Sequence, residues 1–261
     1  MDPVQRPVGA APSGGPAAAA EPLHLTSALL ADAGFRHGFS TRRGGDDLGA
    51  LAAAVGFAPD RAHQVSQVHG ARVLEAAGSP DEQRREEADG LATRAPGVAV
   101  AVRTADCVPV LIGDPRSGAV AAVHAGWRGV VAGVLGEALR TLAAWGAHAG
   151  NLVVAIGPHI GPCCFEVSAE VGDAIAASAR GGARAGDESA AVLARRAGDK
   201  AYVSLEAAVR AQLMESGITA ARIERVAGCT RCDASRFFSY RREGKAAGRH
   251  VAIIVAGSQS G

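Results

Sequence analysis

The chain has 261 residues, 27 Lys and Arg against 26 Asp and Glu for a net charge of +1, and only 4% aromatic residues. That length can bury a sizeable core, while the balanced charge, without a basic block, argues against a nucleic-acid surface and for small polar ligands. No apolar run approaches the roughly eighteen residues that cross a bilayer, and an odd number of cysteines, five, points to thiols rather than a disulfide framework.

Residues 1–22 are Ala, Gly and Pro with little to bury, which predicts a disordered tail. They lack the charged-then-apolar order of a signal peptide, so a cytoplasmic protein is expected, with one domain over residues 23–261. Residues 37–49, HGFSTRRGGDDLG, read as a short strand and a glycine turn. Arg42 and Arg43 in that turn suit a phosphate or carboxylate, or simply solvent. Residues 64–76 alternate as a strand containing His69, and Gly70 marks a bulge or a close ligand approach. The charged loop 80–90 ends in Ala-Asp-Gly, where Asp89 is placed to orient a histidine or contact a substrate hydroxyl.

The centre of the chain is residues 97–142. Apolar runs at 98–102, 108–112 and 119–124 have strand length, with GDPRSG as a turn between the last two. If Ile112 and Ala119 flank that loop, Cys107 lies directly opposite His124, where Cβ atoms are roughly 4.5–5.5 Å apart and one metal ion or one proton bridges them. After AGWRG, a stripe of Val130, Val131, Val134, Leu135, Ala138, Leu139 and Leu142 predicts a helix. Its start and Arg128 favour an anion beside His124.

Residues 152–156 predict a buried strand. The following GPHIGPCCFEV holds Cys163 and Cys164, read as structural or pocket-lining because adjacent cysteines rarely share a metal. Ser168 caps a helix to 179, residues 180–200 form a polar connection, and residues 204–216 form another helix. Residues 223–228 and 250–256 are strands. Cys229 and Cys232 form a lone C-x-x-C; a four-cysteine zinc set with Cys163 and Cys164 lacks the usual spacing, so buried thiols or a redox pair are expected.

In this order, SQVHG, ADG, TADCVPVLI, AAVHAGWRG, IGPHIGPCCFEV, CT and FFSYRREGKAAGRH resemble the YfiH-type family, also called laccase-domain, polyphenol oxidase or peptidoglycan editing factor proteins. The resemblance spans residues 35–255. It implies a purine nucleoside phosphorylase acting on adenosine, inosine and methylthioadenosine, with adenosine deaminase activity, and metal ligands at His69, Cys107 and His124. It also supports an α/β (α+β) fold of mixed sheets flanked by helices. Two His and a Cys with an open fourth position suit catalytic zinc, with copper as the alternative. Arg42, Arg128 and Asp89 are the expected phosphate and substrate contacts. One departure is the segment after the STRRGG turn, which is shorter than the family's. The rival readings are a metal-free hydrolase with Cys107 as nucleophile and His124 as base, an editing factor for peptidoglycan precursors, a copper phenol oxidase, for which His-x-His clusters are missing, and a non-enzymatic partner of a cell-wall or division protein.

Overall fold

The apolar runs at the centre of the chain become the middle of a stack of sheets. The structure, a computed structural model, describes residues 21–179 and 190–257. The expected tail therefore lies almost wholly outside the described residues. The first seven strands are β1 (His24–Leu25), β2 (His37–Ser40), β3 (Ala62–His63), β4 (Val73–Glu75), β5 (Gly90–Thr93), β6 (Ala99–Thr104) and β7 (Val108–Gly113). Next come β8 (Val120–Ala125), β9 (Val153–Ile156), β10 (Glu166–Ser168), β11 (Leu193–Ala197), β12 (Lys200–Val203), β13 (Ile223–Arg225) and β14 (His250–Val255). They form a five-stranded sheet in the order β1-β2-β14-β6-β3, a six-stranded sheet β13-β9-β7-β8-β5-β4, and a small sheet β10-β12-β11.

Because successive side chains alternate between faces, each central strand feeds two apolar layers. Leu91, Leu111, Val120 and Ala122 of the six-stranded sheet meet Phe39, Val100, Val102 and Ile254 of the five-stranded one. On its other face Val110, Ile112, Val123 and Ile156 lie under Leu135, Leu142, Ile175 and Val209 of the helices Val134–Ala144, Ala169–Ser178 and Leu205–Glu215. The outer face of the five-stranded sheet is covered by Leu51, Ala52 and Val55 of the helix Leu48–Val55. The result is a mixed α/β fold of helix, sheet, sheet and helix layers. Burial on both faces explains why these strands read as continuous apolar runs. Each fully buried Leu or Ile contributes about 1.5–3 kcal/mol.

Three expectations are corrected. In the β7–β8 hairpin Pro109, not Cys107, is opposite His124, and Gly113 is opposite Val120. Gly113 reads as a turn residue but stays in the ladder, packed against Phe35 so closely that a Cβ there would lie 2.4 Å from Cε2 of the ring. The loop therefore begins at Asp114, closed by the Asp114 N–H donating to the Ala119 carbonyl at 2.8 Å. A shift of two residues preserves the face, so Cys107, just before β7, remains on the His124 side. The expected single helix is two, Trp127–Val131 and Val134–Ala144, broken where Gly133 adopts φ 87°. The polar connection after 179 is partly ordered: 180–189 lie outside the described residues, but β11 and β12 pair as a hairpin and β12 pairs with β10.

Candidate metal centre and cleft

Asp89 is the fixed point from which the site is built. It sits fully buried beside Gly90 at the start of β5. Its carboxylate accepts the N–H groups of Val68 at 3.2 Å, His69 at 2.9 Å and Gly70 at 2.6 Å. These N–H groups would serve a neighbouring strand if residues 64–76 were one; in fact β3 ends at His63 and β4 begins at Val73. His69 instead takes φ 62°, a left-handed conformation that costs a side-chain-bearing residue on the order of 1–3 kcal/mol. The other non-glycine with positive φ among the described residues is Asp106, φ 95°, which immediately precedes Cys107. Both strained residues are therefore at the same place.

The Asp89 carboxylate also binds His124 Nδ1 at 2.7 Å. That bond fixes a proton on Nδ1 and leaves Nε2 for the cleft. Burial pushes the Asp89 carboxyl up, but the bonds from His124, Gly70 and His69 outweigh it and leave it below the usual range. His69 Nε2 lies 4.0 Å from Cys107 Sγ, and the two imidazoles meet edge to face with centroids 4.8 Å apart. The donor atoms of His69, Cys107 and His124 all lie within 4.8 Å of one another. Zn–N bonds of about 2.0–2.1 Å and a Zn–S bond of about 2.3 Å imply donor separations of roughly 3.3–3.6 Å, so small side-chain movements suffice. Gly126 leaves the room: a Cβ on it would meet His69 Cδ2 at 3.0 Å, Cys107 Sγ at 3.3 Å and His124 Cε1 at 3.5 Å. The residues fit a three-ligand metal.

Electrostatics prepare the same donors. Burial alone would raise the Cys107 thiol, but the charge and hydrogen bonds of His124 and His69 bring it down to about 6. Burial alone would lower His124, yet Cys107 and Asp89 hold it up at about 9. Both shifts favour a thiolate beside an imidazolium when no metal is bound. A cation replaces that proton and takes both donors in the forms it requires.

The trio opens into a cleft of about 800 Å³, also lined by Arg103, Arg241 and Arg249 and by Phe165 and Tyr240. The size is within the roughly 300–1,000 Å³ of small-molecule sites. Asp106 ties its walls together: its carboxylate accepts from Thr230 Oγ1 at 2.6 Å and the Arg241 N–H at 2.6 Å, and its carbonyl accepts from the Ile160 N–H at 2.9 Å.

Of the residues expected from sequence, His69, Cys107 and His124 come together, and the anion contacts do not join them. Arg42 pairs with Glu243, donates to the Phe237 carbonyl and lies over the Phe238 ring, 4.2 Å from its centroid. Arg128 is exposed and folds over its neighbour Trp127. Neither lines the cleft. Asp89, fully buried behind His124, is bonded to that ring and does not line the cleft. Arg103, Arg241 and Arg249 line the cleft without a metal-ligand or glycine-turn signal in the sequence; Arg241 and Arg249 lie in the SYRREGKAAGRH run, where two arginines directly after Tyr240 are the available signal.

A family model described as multi-copper polyphenol oxidoreductase laccase matches residues 45–257. The chain belongs to this laccase-domain family. The purine nucleoside phosphorylase YfiH of Shigella flexneri is 38% identical over 204 residues, 77% of this chain and 76% of the relative. The adenosine deaminase RL5, from an unknown prokaryotic organism, is 38% identical over 171 residues, 65% of this chain and 63% of its own. Among solved structures, YlmD from Geobacillus stearothermophilus superposes with a TM-score of 0.78 at 27% identity, covering 90% of this chain and 99% of that one.

Proposed function

We propose that this laccase-domain protein is a cytoplasmic, zinc-dependent purine nucleoside phosphorylase acting on adenosine, inosine and methylthioadenosine, with adenosine deaminase activity in the same cleft. The observation that carries the reading is the convergence of two histidines and one cysteine, within 4.8 Å of one another, beneath a cleft also lined by Arg103, Arg241, Arg249, Phe165 and Tyr240. The names of the relatives, phosphorylase and adenosine deaminase, agree with it. A cytoplasmic setting suits five free thiols, and no helix among the described residues is long and apolar enough to cross a membrane.

His69, Cys107 and His124 would hold the zinc, which when bound supplies a Lewis acid with an open position. The rest is chemistry of the chain itself. Asp89 keeps the Nδ1 proton on His124 and so aims Nε2 at the cleft. Phe165 and Tyr240 offer flat apolar surface for a purine. Arg103, Arg241 and Arg249 supply forked donors for the phosphate that attacks C1′ as the bond to the base breaks. Gln67 sets one of them, exchanging hydrogen bonds of 2.7 Å with the Arg103 backbone N–H and carbonyl. Zinc is preferred to copper because a His, His, Cys set with an open site is a zinc pattern and a blue-copper site adds a weak axial Met or similar ligand.

A second reading keeps one observation of its own: Cys107 drawn down to about 6 beside His124, with Asp89 behind, is the arrangement of a thiol hydrolase. Substitution separates the two. His69→Ala, which leaves the Cys107, His124 and Asp89 constellation intact, should empty the metal site and abolish adenosine turnover with the circular dichroism unchanged. Full turnover in His69→Ala would favour the thiol.

A further inference from the structure

We propose that Cys163, Cys164, Cys229 and Cys232 form a second metal centre, a tetrathiolate zinc site that fastens together two loops on one wall of the cleft. The four sulfurs lie within 4.8 Å of one another. Cys163 Sγ is 3.7 Å from Cys229 Sγ and 3.5 Å from Cys232 Sγ, and Cys164 Sγ is 3.3 Å from Cys232 Sγ. A tetrahedron with Zn–S bonds of about 2.3 Å has edges of about 3.8 Å, close to these values. Two disulfides would instead divide the sulfurs into pairs about 2.05 Å apart, whereas here Cys232 is nearly equidistant from two partners and all four are free.

Adjacent cysteines seldom serve one metal when the chain is extended, because successive side chains then point apart. Here the chain is not extended. The N–H groups of Cys164 and Phe165 both donate to the Gly161 carbonyl, at 3.0 and 2.9 Å, and this turn lets both Cys163 and Cys164 reach Cys232. Cys229 and Cys232 have the two-residue separation common in zinc sites, with the Asp233 N–H on the Cys229 carbonyl at 3.0 Å closing that turn. The Gly161 N–H points at Cys229 Sγ, 3.3 Å away, a donor suited to a thiolate that keeps its charge. Four thiolates in tetrahedral array select zinc over the harder divalent ions.

The site's position gives it a role. The loop following β9 carries Ile160 and Phe165; the connection following β13 carries Cys229 and Cys232 and then the short helix Tyr240–Glu243 with Tyr240 and Arg241, and Ile160, Phe165, Tyr240 and Arg241 all line the cleft. Apart from the cysteines the loops are joined near here by the His159 N–H to the Gly228 carbonyl at 3.2 Å and the Thr230 N–H to the His159 carbonyl at 3.0 Å. A metal at the four sulfurs therefore holds the proposed purine and phosphate contacts in register, without touching substrate.

The proposal does not depend on the function of the first site, and its test separates the two. Full-length protein carrying Cys107→Ser, purified under reducing conditions with zinc supplied, should retain one zinc per chain by mass spectrometry. X-ray absorption of that zinc should give four sulfur neighbours near 2.3 Å. Adding Cys229→Ser and Cys232→Ser should remove it and lower the melting temperature. Cobalt substitution of the Cys107→Ser protein gives an independent reading, the visible bands of a tetrahedral tetrathiolate. Zinc-free Cys107→Ser protein, a nitrogen or oxygen shell around its zinc, or intramolecular disulfides among the four in protein trapped by alkylation would each overturn the second centre.

Discussion

Cys107 lies where opposing influences on one sulfur can be weighed. Desolvation favours the thiol, and two imidazoles favour the thiolate; the imidazoles win, bringing it to about 6, against about 8.5 for a free cysteine. Alkylation follows the thiolate, so in metal-stripped protein the iodoacetamide rate at Cys107, followed by peptide mass spectrometry, should rise with pH with a midpoint near 6. Asp89→Asn removes the carboxylate that holds His124 protonated, so the midpoint should move upward; zinc should protect the sulfur at every pH. A midpoint above 8 in the unsubstituted protein would refute the pairing. The anion contacts invite a comparison of two arginines. Arg241→Met should raise the KM for phosphate about ten- to hundredfold, the equivalent of roughly 1.5–3 kcal/mol for a charge-assisted bond, while Arg128→Met, outside the cleft, should leave it within about twofold, a bound set by the small worth of exposed charges.

The element that would seat the proposed metal is the β8 strand and the turn after it. Gly126 has φ −71°, which alanine adopts freely, so Gly126→Ala tests space alone. Its Cβ would crowd the His69 ring at Cδ2 and Cys107 Sγ and come into ordinary contact with His124 Cε1; zinc affinity should fall about ten- to hundredfold, as when a supporting partner of a metal site is lost, with little change in melting temperature. Chelator competition measures this, and unchanged affinity would move the metal elsewhere. At this scale much was legible in the sequence. The central strands and the Ser168 cap follow from apolar runs and a capping hydroxyl, and the motifs single out His69, Cys107 and His124, whose donor atoms the fold brings within 4.8 Å of one another. What escaped has local causes. Gly113 looked like a turn residue because the Phe35 ring that requires a glycine comes from a distant segment. Residues 64–76 alternate like a strand, yet their N–H groups answer a buried carboxylate twenty residues on. Cleft arginines and the four-cysteine cluster depend on loops meeting after the sheets form, which no spacing along the chain records.

Across the whole molecule, the two sheets bring the site's parts together: β5, β7 and β8 supply Asp89, Cys107 and His124 at strand ends, and loops from both sheets close over them. Contact between the layers is tight where Gly157 meets Phe39; a Cβ on Gly157 would lie 2.2 Å from Cδ1 of that ring. Gly157→Ala should therefore cost about 1–3 kcal/mol in urea unfolding, the usual cost of overpacking, and unaltered stability would mean the layers slide freely. The assembled cleft is asked to join a metal and an anion on one nucleoside. The most direct measurement is the product pattern from adenosine with the protein zinc-loaded or metal-stripped, and phosphate present or absent. Adenine with ribose 1-phosphate should form only when zinc and phosphate are both present, and inosine should form with zinc whether or not phosphate is added. Release of adenine that persists at full rate after the metal is stripped, or that ignores phosphate, would contradict metal-dependent phosphorolysis.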